Sequence, residues 1–125
     1  MKLLVLRGWL LLLYFDTILR VCDFRRLHAV VQEEPMSPCC RDNVPPVKFL
    51  CRAMDFACVF YFKQVLCLQR SAATTVLLRR YGVPAEMVIG AQLLPFKSHA
   101  WVEVEEIPVN DKPYMREIYQ VLERC

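Results

Sequence analysis

Only three glycines, Gly8, Gly82 and Gly90, occur in this chain of 125 residues, and they are far apart. A phosphate-cradling loop needs clustered glycines so that the backbone can approach the anion, so a nucleotide-binding loop is excluded. Seven cysteines form neither a CxxC nor a CxxH pair, which removes the spacing of a zinc or dithiol redox site. A formal net charge of only +3 carries no nucleic-acid signature. Long apolar runs are also missing at the basic, leucine-rich N terminus. GWLLLLYF, between Arg7 and Asp16, spans eight residues, against the ~20 needed to cross a bilayer. No small-residue cleavage site follows it, and Asp16, Arg20, Asp23, Arg25 and Arg26 recur at helical spacing. The first 22 residues therefore read as a packed amphipathic helix, ahead of a signal peptide or a membrane-surface helix.

What the chain does hold is apolar mass: 56% of its residues are hydrophobic, enough for one real core. The odd cysteine count, at 22, 39, 40, 51, 58, 67 and 125, with Cys39 and Cys40 adjacent, points to mostly buried, reduced thiols in a cytoplasmic protein. Residues 33 to 48, EEPMSPCCRDNVPPVK, carry four of the eight prolines and read as a linker. That divides the chain into an N-terminal helical region with its linker, 1–45, and a core, 46–125.

From Lys48 to Tyr81 neither glycine nor proline appears, and the length predicts two helices with a break near Tyr61 to Cys67. The second, CLQRSAATTVLLRRYG, starts with Cys67 in its first turn and stops at Gly82 and Pro84, with Arg79 and Arg80 in its last turn. MVIGAQLL (87–94), HAWVEV (99–104) and IPV (107–109) read as strands, and residues 113 to 125 as a final helical turn or two. Helices followed by closely connected strands give an α+β class with an antiparallel sheet.

Three residues with matching chemistry then stand at telling places: Cys67 at a helix start, His99 at a strand start and Asp111 just past the next strand. An odd-length connection centred near Glu105 would set His99 opposite Asp111 on one face; an even one would separate them. Facing carboxylate and imidazole fix a tautomer, with Nδ1 toward Asp111 and Nε2 toward the thiol, and a helix N terminus beside an imidazolium favours thiolate. The Cys67 backbone N–H, unpaired in the first turn, is a ready oxyanion donor, and Gln64 a weaker second. Each residue also has an ordinary role open to it: a buried thiol, a strand-end polar residue, a turn aspartate. Trp101 reads as core, Glu103 as solvent-facing, and His28 lacks comparable neighbours.

CLQRSAATTVLLRRYGVPAEMVIGAQLLPFKSHAWVEVEEIPVND resembles the transglutaminase-like cysteine peptidases of lasso-peptide biosynthesis, the leader peptidase or B protein, in its stand-alone form. The matching features are the CLxRS helix start, the RRYGVPA exit, the VIGAQ strand, HAWVEV and the VND that follows, across about residues 60 to 115. The chain departs from the pattern where a glycine-containing turn is expected, at Glu105-Glu106-Ile107. The resemblance implies a papain-like or transglutaminase-like core, with a catalytic helix on a small antiparallel sheet and a Cys67, His99, Asp111 triad. It implies removal of the leader from a ribosomally made precursor peptide, with a separate leader-recognition protein as partner and a separate ATP-dependent cyclase acting next. The glycine content excludes the cyclase role for this chain itself. No cofactor and no metal are expected, since thiolate hydrolysis of an amide needs neither. The same core could instead transfer the acyl group to an amine, or present peptide as an inactive scaffold.

Overall fold

The computed structural model describes residues 2–36, 46–93 and 95–125. Most of the proline-rich linker, with Cys39 and Cys40, lies outside the described residues.

Four helices come first: α1 (Lys2–Val21), α2 (Phe24–Glu33), α3 (Val47–Val59) and α4 (Cys67–Arg80). Helix α1 buries Leu4, Leu11, Leu12, Phe15 and Ile18, the helical spacing read in the sequence. Helix α2 is started by Asp23, whose carboxylate accepts the Arg26 N–H at 3.2 Å. Pro46 precedes α3 at the N-cap, and the expected break falls between Val59 and Cys67. No helix among the described residues is long and apolar enough to cross a membrane.

Helix α4 is the centre of the molecule. It packs against α1, α2, α3 and two strands, and Gln69 to Leu78 are buried apart from half-buried Arg70. The small residues of SAATT allow that crowding, because short side chains let neighbouring elements approach on several sides. The helix stops at Gly82, whose φ of 81° belongs to the left-handed region. There the Gly82 N–H donates to Arg79 O and the Val83 N–H to Leu78 O, both at 3.0 Å, a paired closure of the last carbonyls.

The sheet comprises β1 (Ala85–Leu93), β2 (Phe96–Val104), β3 (Ile107–Pro108) and β4 (Gln120–Arg124), all antiparallel, in the order β3-β2-β1-β4. Strands β1 and β2 pair over their full length, with Gly90 opposite His99. Helices α3 and α4 cover the face carrying Ala85 and Val102, while Val88, Trp101 and Met115 form a separate cluster with Tyr119 and Val121.

Two expectations are corrected. The C-terminal tail makes only a one-turn helix, α5 (Met115–Ile118), and then β4. Helix-favouring Leu122, Glu123 and Arg124 become a strand because the edge of β1 is open to them, with a bulge at Ile89/Gly90 absorbing the misfit. Glu103 is 1% exposed rather than solvent-facing. Its carboxylate accepts the Trp101 indole N–H and an Arg124 N–H, each at 2.8 Å, so the missed strand supplies the charge that lets it stay buried.

Candidate active site

Cys67 opens α4, and the N-cap Leu66 offers no side-chain hydrogen bond, so the first-turn N–H groups have no side-chain acceptor there. The thiol is exposed. Of the other described cysteines, Cys51 and Cys125 are buried and Cys58 half-buried, which burial reflects in their chemistry: it pushes Cys51 and Cys125 up to about 11 and raises Cys58. Cys22, like Cys67, is exposed.

His99 meets Asp111 at 2.5 Å. It reaches it by a route other than strand register. The β2–β3 connection is the two-residue turn Glu105-Glu106, an even length, and the ladder ends at Glu103↔Pro108. Beyond it the Val109 N–H still donates to Val102 O, but the returning Val102 N–H is taken by the Asn110 side-chain oxygen at 2.7 Å. A side chain thus stands in for the next ladder carbonyl, and the backbone leaves the sheet there, carrying Asp111 back to His99. The other Asp111 oxygen accepts the Lys112 N–H at 2.8 Å, which holds the carboxylate in place.

The ring nitrogens are reversed from expectation. Nε2 faces Asp111 Oδ2, so Nδ1 is the nitrogen left for another partner. The ring plane is set by its neighbours: Trp101 stacks at 6.1 Å between centroids and Tyr119 lies at 5.5 Å. Tyr119 just precedes β4, so it was as hidden in the sequence as that strand. His28 also gains a neighbour from β4, with its Nε2 3.2 Å from Glu123 Oε2.

Two clefts meet at this point, and both Cys67 and His99 border each of them. One, of about 150 Å³, is polar and includes Arg70, Ser71, Asn110 and Asp111. The other, of about 180 Å³, is walled by Phe24, Leu68 and Ile89. Gln64 is exposed in the segment ahead of α4 and borders neither cleft. Ser71 and Asn110 were not singled out from the sequence. Ser71 had a signal, since it lies four residues after Cys67 and so on the same helix face. Among the described residues there is no cluster of three or more His, Cys, Asp or Glu side chains that could hold a metal ion.

The family model of the transglutaminase-like superfamily matches residues 9–124. The chain belongs to that superfamily. Among curated proteins, the microcin J25-processing protein McjB of Escherichia coli is 41% identical over 56 residues. That match covers 45% of this chain but only 27% of the relative's length. No solved structure gives a significant match.

Proposed function

We propose that this member of the transglutaminase-like superfamily is a cysteine endopeptidase that cuts the leader from a ribosomally made lasso precursor peptide. The observation that carries the reading is the His99–Asp111 pair at 2.5 Å, which borders the same polar cleft as the exposed first-turn thiol of Cys67. The likeness to a protein named for microcin processing supports the substrate class.

In this reading His99 Nδ1 takes the Cys67 proton, and the thiolate attacks the amide carbon before the core peptide. Asp111 holds the imidazole and stabilises its cationic form. The oxyanion is met by the Cys67 N–H. His99 then protonates the leaving amine, and water resolves the thioester. The partners are the precursor and a separately made leader-recognition protein, with the cyclase acting on the freed core. The work belongs to the cytoplasm, where such precursors are made and thiols stay reduced.

The test is mass spectrometry of a precursor incubated with the protein, with and without the recognition protein. A leader-sized fragment that disappears in Cys67→Ala is the expected result. Asp111→Asn should lower kcat by about a hundred- to ten-thousand-fold. An intact precursor, with both proteins folded and present, overturns the reading, and a covalent amine adduct in place of the free acid would reassign the chain to acyl transfer.

A further inference from the structure

We propose that the polar cleft between Cys67 and Asp111 holds the water that resolves the acyl-enzyme, and that the Ser71 hydroxyl anchors it; this rests on the peptidase reading above. Ser71 follows Cys67 by one turn of α4, so the two side chains share a helix face. It is 1% exposed, and its Oγ finds no hydrogen-bond partner among the described residues. A serine or threonine within a helix can satisfy itself on the carbonyl four residues back. Thr74 does so toward Arg70 at 2.8 Å; Ser71 does not.

Ser71 instead borders the cleft of about 150 Å³ that Cys67, His99, Asn110 and Asp111 also line. Arg70 borders it too. Its Nη2 is held by Asp55, while its Nε is buried with no partner among the described residues. Two orphaned polar atoms therefore belong to residues around one small space. Such groups are costly unless something pairs with them, and a buried water takes two to four polar partners and roughly 30 Å³. The neighbouring cleft, walled by Phe24, Leu68 and Ile89, suits the apolar part of a substrate. That leaves the polar one for water.

The step balances without any further reagent. Once the amine has left with the proton from His99, the imidazole is neutral and the acyl group sits on Sγ as a thioester. Water attacks the carbonyl carbon and gives one proton to Nδ1. A C–O bond forms, the C–S bond breaks, and the electron pair returns to sulfur. The thiolate is left beside the imidazolium, and the product acid loses its proton to solvent. Acylation needs no such water, so removal of the Ser71 hydroxyl should slow only the second half of the cycle.

The experiment treats the full chain with p-nitrophenyl acetate, which acetylates nucleophilic thiols without any leader peptide, and follows acetyl-Cys67 by mass spectrometry. In Ser71→Ala, Cys67 should be acetylated at the wild-type rate while the acetyl group persists roughly tenfold longer, as expected for one lost hydrogen bond. Ser71→Gly, which also removes the hydroxyl and adds no bulk, should behave alike. Added hydroxylamine should clear the thioester equally fast in all forms, a readout that a distorted site would not preserve. Equal lifetimes with and without the hydroxyl overturn the role of Ser71, as does an equal slowing of both steps. Absence of acetyl-Cys67 from the wild-type chain overturns the nucleophile assignment itself, a different and separable failure.

Discussion

Gly90 shows how much one missing side chain can carry. It lies opposite His99 in the β1–β2 ladder, and a Cβ built on it would stand 2.7 Å from a Trp101 ring carbon and 2.9 Å from the Tyr119 Cβ. Neither distance is tolerable, so the two aromatic rings that flank His99 sit where they do because residue 90 is glycine. Gly90→Ala should cost about 1–3 kcal/mol through forced repacking. It should also lower kcat more than KM, because the displaced rings are those that set the imidazole plane. A denaturation curve and a steady-state analysis check both parts. The cysteines give a second residue-scale prediction. Burial, the main cause, holds Cys51 and Cys125 at about 11, so at neutral pH they stay thiols and inaccessible. Brief iodoacetamide treatment of the native protein should label Cys67 and Cys22 but not Cys51 and Cys125, which should appear only after unfolding; peptide mapping of these four reads the outcome.

Among the elements, the β2–β3 turn works against its own residues. Glu105 and Glu106 have φ of 51° and 68°, the left-handed values that a two-residue hairpin of this hand requires and that non-glycine residues resist, at about 1–2 kcal/mol each. Replacing them with Asn-Gly should therefore stabilise the protein by roughly 1–2 kcal/mol, read as a higher urea midpoint at unchanged slope. The same turn marks the limit of what the sequence could convey. Helices α3 and α4, the break between them and the first two strands were legible, because periodicity, glycine and proline report local structure directly. Local signals also located Cys67 at a helix start and His99 in a strand. The contact between His99 and Asp111 was not legible by register, since an even turn should have separated them. It depends on Asn110 replacing a ladder carbonyl, a long-range event with no local signature. Strand β4 was hidden for a related reason, as pairing with β1 overrides the helical preference of its residues. With β4 hidden, the burial of Glu103 and the places of Tyr119 and His28 were hidden as well.

Across the whole molecule, the N-terminal helix and the helix bearing Cys67 form one structural unit, although a proline-rich segment separates them in sequence. Gln69 of α4 donates to Leu12 O of α1 at 2.8 Å, and both helices contribute to one hydrophobic cluster. Asp16 of α1 fastens the segment leading to Cys67: its carboxylate accepts the Tyr61 hydroxyl at 3.0 Å and lies 2.6 Å from Lys63 Nζ, with Arg20 at 3.6 Å. Burial alone would raise the Asp16 carboxyl, but the hydrogen bonds from Lys63 and Tyr61 and the Arg20 charge outweigh it and leave it below its ordinary value of 3.8. Tyr61 is pushed up to about 12, by its burial first and by Asp16 second. A carboxyl lowered by folding binds its proton more readily in the unfolded chain, so its stabilisation is in place above about 3.8 and drains away as pH falls through the lower folded value. For Tyr61 the sign reverses, and stability is lost as pH rises from 10 towards about 12. Asp16→Asn should thus cost about 1.5–3 kcal/mol at neutral pH, the worth of hydrogen bonds to a charged group. The gap between the two proteins should narrow steadily below pH 4. Urea denaturation across that range measures it, and a gap that stays constant into acid would show that Asp16 contributes by shape rather than by charge.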